Sequence, residues 1–265
     1  MTHTVRLPKI IFFDIDGTLV SFKTHNIPQS TLDAVHRIRE KGVKVWIATG
    51  RPVPFINNLG TLEYDGIMSV NGGHCLMADG TVIFSTPVCK DDVKRMTEEQ
   101  EKTGMAVVYA GNKEAVLTAP KGIPSAVKEV FSLLDIPLPP LCPCTQALDM
   151  EVMQVIAFFP KSQSQHVMND ILKQCNETRW HPDFADCVAA GTDKATGIDA
   201  IISHYGFDIS ETMAFGDGGN DITMLRHAAT GIAMGNADNN VKAAADIVTS
   251  SVDEDGIANI LNGLR

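Results

Sequence analysis

Two stretches of this chain bring carboxylates together directly after an apolar run. In the first, Lys9-Ile10-Ile11-Phe12-Phe13 leads into Asp14-Ile15-Asp16-Gly17-Thr18. In the second, residues 212–215 lead into Gly216-Asp217-Gly218-Gly219-Asn220-Asp221. A short apolar run closed by turn residues reads as a buried parallel strand, and its end lies at the sheet edge where open α/β folds bind ligands. Asp14 and Asp16 are close enough to repel, so a bound cation or a raised pKa on one of them is expected. Taken singly, each stretch also has an ordinary reading: a strand entering an Asp/Gly turn, and a Gly/Asp-rich helix cap. Taken together they place four carboxylates at what should be neighbouring strand ends, a costly arrangement without a cation. Oxygen-only donors suit Mg²⁺, which retains several waters and bridges to phosphate. Thr49-Gly50, at the end of a further apolar run, adds a hydroxyl and unhindered backbone N–H groups, a small anion cradle. Lys194, at the start of a predicted helix, adds a positive charge beside a helix N-terminus. Acidic metal ligands with a hydroxyl and a lysine on one rim indicate phosphoryl chemistry.

The elements that must carry these residues alternate. After the first strand, Ser30 is the expected N-cap, with Asp33 three residues on as a near capping box. Leu32, Val35 and Ile38 then recur at helical spacing, and Gly42 supplies the stop. Strands over 43–48 and 66–70 follow, ending at Thr49-Gly50-Arg51-Pro52 and Asn71-Gly72-Gly73. Such repetition implies right-handed crossovers and a parallel sheet. Asp79-Gly80 between two apolar triplets predicts a tight hairpin. From 86 to 185 the texture changes to helices grouped with short strands: helices over 91–102, 125–134 and 164–175, and strands over 105–109, 115–118, 151–159, near 178–181 and over 184–188. After Lys194 the alternation returns. The predicted architecture is therefore a Rossmann-like α/β core of residues 1–85 and 186–265, interrupted by an α+β domain of residues 86–185.

A net charge of −10 argues against nucleic acid or an anionic membrane surface as partner. It leaves an anionic substrate open, because a bound dication reverses the local field. The six cysteines are too sparse for a disulfide scaffold, and Cys142-Pro143-Cys144 has one intervening residue rather than the two of a zinc knuckle. Residues 1–9 lack the apolar stretch of a signal peptide, and no segment approaches the ~20 apolar residues needed to span a bilayer. A reduced, cytoplasmic protein, monomeric or a small homo-oligomer, is the expectation.

Asp14-Ile15-Asp16-Gly17-Thr18, Ala48-Thr49-Gly50-Arg51, Lys194 and Gly216-Asp217-Gly218-Gly219-Asn220-Asp221 stand in the order of the four motifs of haloacid dehalogenase superfamily phosphatases, and the chain resembles that family over essentially its whole length. The insertion between the second and third motifs most resembles the type-IIB cap of the Cof-type branch. Ala195 departs from the glycine that many relatives carry after the lysine, which adds a Cβ but leaves the ammonium in place. The resemblance implies Asp14 as nucleophile, forming an aspartyl-phosphate, and Asp16 as general acid and then base. It implies Mg²⁺ held by Asp14, the carbonyl of Asp16 and Asp217, with Asp221 less directly engaged. Thr49, Gly50 and Lys194 would hold the phosphate oxygens, and Asn220 would touch phosphate or a metal-bound water. The implied substrate is a sugar phosphate or similar small phosphorylated metabolite, selected by the cap. The rival readings are a phosphomutase of the same fold and a non-catalytic phosphate-binding protein. Scattered cap basic residues weigh against the first, and the Asp14–Asp16 pair against the second. Arg51, His74, Trp180 and His181 are secondary candidates for substrate contact.

Overall fold

The structure is a computed structural model that describes residues 7–179 and 181–264. The chain begins with strand β1 (Ile10–Phe13), helix α1 (Gln29–Glu40), β2 (Lys44–Ala48), β3 (Gly66–Ser69), β4 (His74–Met77) and β5 (Val82–Ser85). It then builds α2 (Lys90–Thr103), β6 (Val107–Ala110), β7 (Ala115–Thr118), α3 (Ser125–Leu133), β8 (Gln154–Ala157), the single turn α4 (Ser164–His166), β9 (Cys175–Thr178) and β10 (Ala185–Ala189). Finally come α5 (Lys194–Tyr205), β11 (Thr212–Gly216), α6 (Ile222–His227), β12 (Thr230–Ala233), α7 (Asn239–Lys242), β13 (Ile247–Val248) and α8 (Gly256–Leu261). No helix among the described residues is long and apolar enough to cross a membrane.

These elements form two compact units. One runs through Gly50, takes up Asn58–Ser85 and resumes at Asp193; the other comprises Arg51–Asn57 and Thr86–Thr192. The first holds an eight-stranded sheet in the order β13-β12-β11-β1-β2-β3-β4-β5. It is parallel from β13 to β3 and closes with antiparallel β4 and β5. Every residue of β1 is buried, as is all of β11, which explains the unbroken apolar run of β1 and the mostly apolar run of β11. The predicted hairpin forms around Asp79-Gly80, with a register shift between Cys75 and Leu76.

The second unit holds a five-stranded, fully antiparallel sheet, β7-β6-β8-β10-β9, with α2 and α3. Its core draws on Met96, Val107, Tyr109, Val155 and Leu172 on one side of the sheet and on Val108, Leu117, Phe131 and Ile156 on another. This is an α+β unit, as the change of texture predicts. The boundary expected at 186 falls inside β10, whose residues pair with β8 and β9, so that strand goes with the second sheet rather than the first.

Three local expectations are corrected. α1 starts at Gln29 after Pro28 (φ −57°), with no side-chain cap; Ser30 Oγ instead donates to Asp255. Proline fixes the backbone angle at the helix entrance and makes the serine unnecessary there. The helix expected over 164–175 is a mixed segment of short 3₁₀, α and π turns ending at Ile171, and Cys175 opens β9. The strand expected over 151–159 is shorter, Gln154–Ala157.

Candidate active site

Registry sets the site. Phe13 pairs with Phe215 of β11 and with Ile47 of β2, so the three central strands end level. Asp14 N–H extends the ladder by one bond, donating to Phe215 O at 3.0 Å. From β1 the chain moves through β2 to β3 on one side, whereas β11 leads to β12 and β13 on the other. A reversal of this kind opens a crevice at the carboxyl ends of the strands. Asp14 and Asp217 flank it, and Thr49 follows the next strand.

Asp14, Asp217 and Asp221 each offer an oxygen within 4.8 Å of the others. Among them lies Lys194, fully buried, whose Nζ donates to Asp14 Oδ1 at 2.7 Å, Ala48 O at 2.7 Å and Asp221 Oδ1 at 2.5 Å. All three ammonium protons are thus placed. The Asp193 side chain accepts from Thr196 N in a capping box that fixes the start of α5, and with it the root of the Lys194 side chain. Burial pulls the Lys194 pKa down, but the carboxylates of Asp14 and Asp221 outweigh it and hold the group as an ammonium. Burial, with Asp221 beside it, pushes the Asp14 carboxyl well above its usual range, against the pull of Lys194. Burial likewise lifts Asp217 to about 7, although the Thr18 hydroxyl, donating to Oδ1 at 2.7 Å, acts the other way. Fully ionised, three carboxylates around one ammonium would carry two unbalanced negative charges, and without a cation the raised pKa values of Asp14 and Asp217 relieve them by protonation. A hard divalent cation fits this set: the donors are all oxygen, they converge, and their excess charge is the one it would neutralise.

Asp221 has a structural task as well. Its Oδ2 accepts from the backbone N–H groups of Asp217 and Gly218, both at 2.9 Å, which ties the loop after β11 into shape. Gly17 is required by space: at φ +88°, a Cβ there would lie 2.1 Å from Asp217 Oδ2. Asn236, which the sequence reading did not single out, donates from Nδ2 to Gly17 O at 2.9 Å and to Asp217 Oδ2 at 3.2 Å. Its signal was available, since it follows β12 and therefore sits at the same sheet edge.

On the opposite flank, the turn after β3 has two consecutive non-glycine residues with positive φ, Val70 at +45° and Asn71 at +54°. A β-branched residue there is an outlier, and such conformations cost about 1–3 kcal/mol each. Asn71 N–H donates to Thr49 O at 3.0 Å, and Asn71 Oδ1 accepts from Asn220 Nδ2 at 2.9 Å. Gly50 lies against the same pair; a Cβ on it would be 3.1 Å from Asn71 Oδ1 and 3.4 Å from Asn220 Nδ2. Thr49, Gly50 and Asn220 are therefore brought together, with Asn71 as an unforeseen fourth member.

Asp16 is half-buried in the loop after β1, and its carboxylate is not one of the three that converge. His74 is buried in β4 with Nδ1 3.2 Å from Ser85 Oγ, a packing position. In the second unit His181 stacks on Phe184, and Arg51 donates to Phe55 O at 3.0 Å. Trp180 lies outside the described residues. Cys142 and Cys144 are free thiols, and no metal cluster among the described residues includes them.

Comparison with known proteins bears on the same edge. The family model described as haloacid dehalogenase-like hydrolase matches residues 11–261. The structure of BT4131, described as a HAD subclass IIB sugar phosphatase, superposes with a TM-score of 0.85 at 42% identity, covering 96% of this chain and 98% of that one. BT1666 of Bacteroides thetaiotaomicron, described among phosphatases of that superfamily, gives a TM-score of 0.86 at 35% identity over 99% and 97%. Pyridoxal phosphate phosphatase YbhA of Escherichia coli is 30% identical over 273 residues, 96% of this chain and 97% of that protein.

Proposed function

The chain belongs to the haloacid dehalogenase-like hydrolases, with a core of that fold and an inserted subclass IIB-like cap, and from that premise we propose that it hydrolyses phosphate monoesters of small metabolites through an aspartyl-phosphate on Asp14. The observation that carries this reading is the convergence of Asp14, Asp217 and Asp221 on one point beside the fully buried Lys194. An acidic centre with a single fixed ammonium is suited to a substrate that arrives as a dianion with a metal ion, and unsuited to a neutral ester.

Asp14 Oδ attacks phosphorus, forming an acyl-phosphate bond as the ester P–O bond breaks. Asp16 gives its proton to the departing alkoxide, then takes one from the water that cleaves the acyl-phosphate, releasing inorganic phosphate and restoring both carboxyl groups. Lys194 donates to Asp14 Oδ1, which orients the carboxyl group and leaves its other oxygen for attack. Because its three protons are already engaged, Lys194 acts first on the nucleophile; contact with phosphate requires one of these bonds to be exchanged. Thr49, the Gly50 backbone and Asn220 receive the non-bridging oxygens. Mg²⁺ held by Asp14, Asp217 and the carbonyl of Asp16, with Asp221 behind them, would screen the repulsion between carboxylate and phosphate. The inserted unit is assigned the choice of organic group.

Sugar phosphates are the first substrate class to test, on the strength of the 42% identical sugar phosphatase. The pyridoxal phosphate phosphatase shows that a relative at 30% identity carries a different substrate in its name, so the panel should be broad. The test is inorganic phosphate release from a set of sugar, nucleoside and cofactor monophosphates, with Mg²⁺ and with chelator. Mg²⁺-dependent release is expected, highest on hexose or pentose phosphates. Transfer between positions of a sugar without release would indicate a mutase, and binding of phosphate with no turnover of any ester would overturn the enzymatic reading.

A further inference from the structure

The turn after β3 touches the three other segments of the phosphate-facing rim. Its Asn71 N–H bonds the carbonyl of Thr49, and its Asn71 Oδ1 takes one Nδ2 proton of Asn220. The next residue, Gly72 at φ +94°, lies so close to the start of α5 that a Cβ would fall 2.0 Å from Asp193 O. On the α5 side, a Cβ on Gly197 would fall 2.9 Å from Gly72 Cα. A backbone held in the left-handed region at Val70 and Asn71 persists only when its surroundings over-determine it, and such sites cluster where geometry serves function. Glycine would satisfy the backbone at 71 with less strain. Asparagine adds a carbonyl oxygen directed at Asn220, whose own position is exposed and would otherwise leave its amide free to rotate.

We infer that Asn71 is a positioning residue for the phosphoryl reaction: it aims the Asn220 amide and the Gly50 backbone at the transferring phosphoryl group without touching that group itself. This rests on the phosphatase reading given above. Preorganised donors act through fixed direction, so loss of aim lowers transition-state binding more than substrate binding.

The test compares Asn71→Gly with the wild type in Mg²⁺, using p-nitrophenyl phosphate turnover, inhibition by orthovanadate and thermal melting. Glycine keeps the positive φ and removes only the amide. The expected result is a fall in kcat of about 10- to 100-fold with KM changed far less, vanadate inhibition weakened in parallel, and an unaltered cooperative melt. In an Asn220→Ala background the same substitution should have less than about two-fold further effect, because the two residues act as one unit. Full wild-type kcat and vanadate affinity in Asn71→Gly, or losses that simply multiply in the double variant, would overturn the inference. A second arm needs only the folded wild type: one side-chain amide proton of Asn220 should resist solvent exchange in ¹⁵N-resolved spectra, and two equally exchanging protons would also overturn it. If the wild type hydrolyses no ester at all, the activity reading fails, while the amide-exchange arm still decides whether Asn71 holds Asn220.

Discussion

Between α2 and the five-stranded sheet, Tyr109 donates to Gln100 Oε1 at 2.7 Å, Gln100 Nε2 donates to Thr118 Oγ1 at 2.7 Å, and Thr118 Oγ1 donates to Val107 O at 3.1 Å. All three side chains are fully buried, all are neutral, and the hydrogen-bond chain ends within the unit. At the edge of the eight-stranded sheet, Asp14, Asp217 and Asp221 crowd around one ammonium, and burial raises the pKa of Asp14 and Asp217 there. Buried polarity is thus used in two ways. Where donors and acceptors balance, the network fixes a fold; where like charges are gathered with too few partners, the arrangement is consistent with a site for a hard cation.

That contrast can be broken most sharply at Asp14. Asp14→Asn should lower kcat by about a thousand-fold or more while the protein remains folded. Substantial retained turnover would remove it as nucleophile. Next is the metal: saturating Mg²⁺ should raise the thermal midpoint, by about 2.7 kcal/mol of stability at a hundred times Kd. Asp217→Asn should abolish that rise together with activity, and an undiminished Mg²⁺ response in the variant would place the ion elsewhere. The neutral network should behave oppositely. Tyr109→Phe leaves a buried Gln100 oxygen unpaired and should cost about 1–3 kcal/mol in denaturant unfolding, with the Mg²⁺ response intact. The smallest effect is on pH. In metal-free protein Asp217 holds its proton to about 7, against an ordinary value of 3.8. Its contribution to stability is therefore present below the unfolded value and lost as pH rises through about 7. Melting scans between pH 5 and pH 8 should fall without metal and flatten with Mg²⁺; a rise without metal would contradict the raised carboxyl.

Much of the candidate site was legible in the sequence because its main parts follow central buried strands. The apolar runs of β1 and β11 mark their own ends, so Asp14 and Asp217 could be placed before any coordinates. What escaped depends on contacts across the chain. Nothing local in Val70-Asn71 announces a left-handed turn, since valine argues against one, and the segments that meet it, Asp193 against Gly72 and Thr49 and Asn220 on Asn71, come from elsewhere in the chain. Asn236 is meaningful through Gly17 and Asp217, more than 200 and 19 residues away. The expected cap at Ser30 failed because Pro28 had already set the helix entrance. Mixed turns over 161–171, none capped by a side chain, stand in place of the helix expected over 164–175.

The order of strands has a cost during synthesis. β1 is flanked by β2, made soon after it, and by β11, whose partner residues lie about two hundred positions later. At ribosomal speeds of roughly 5–20 residues per second, that edge of a wholly apolar strand stays unpaired for on the order of ten seconds or more. Over the same interval the antiparallel unit, whose pairings all fall within its own stretch of chain, can already close. The nascent protein thus exposes an aggregation-prone edge until the last fifth of the chain emerges, and chaperone occupancy on arrested ribosomes should peak before Thr212 and drop once Gly216 has cleared the exit tunnel.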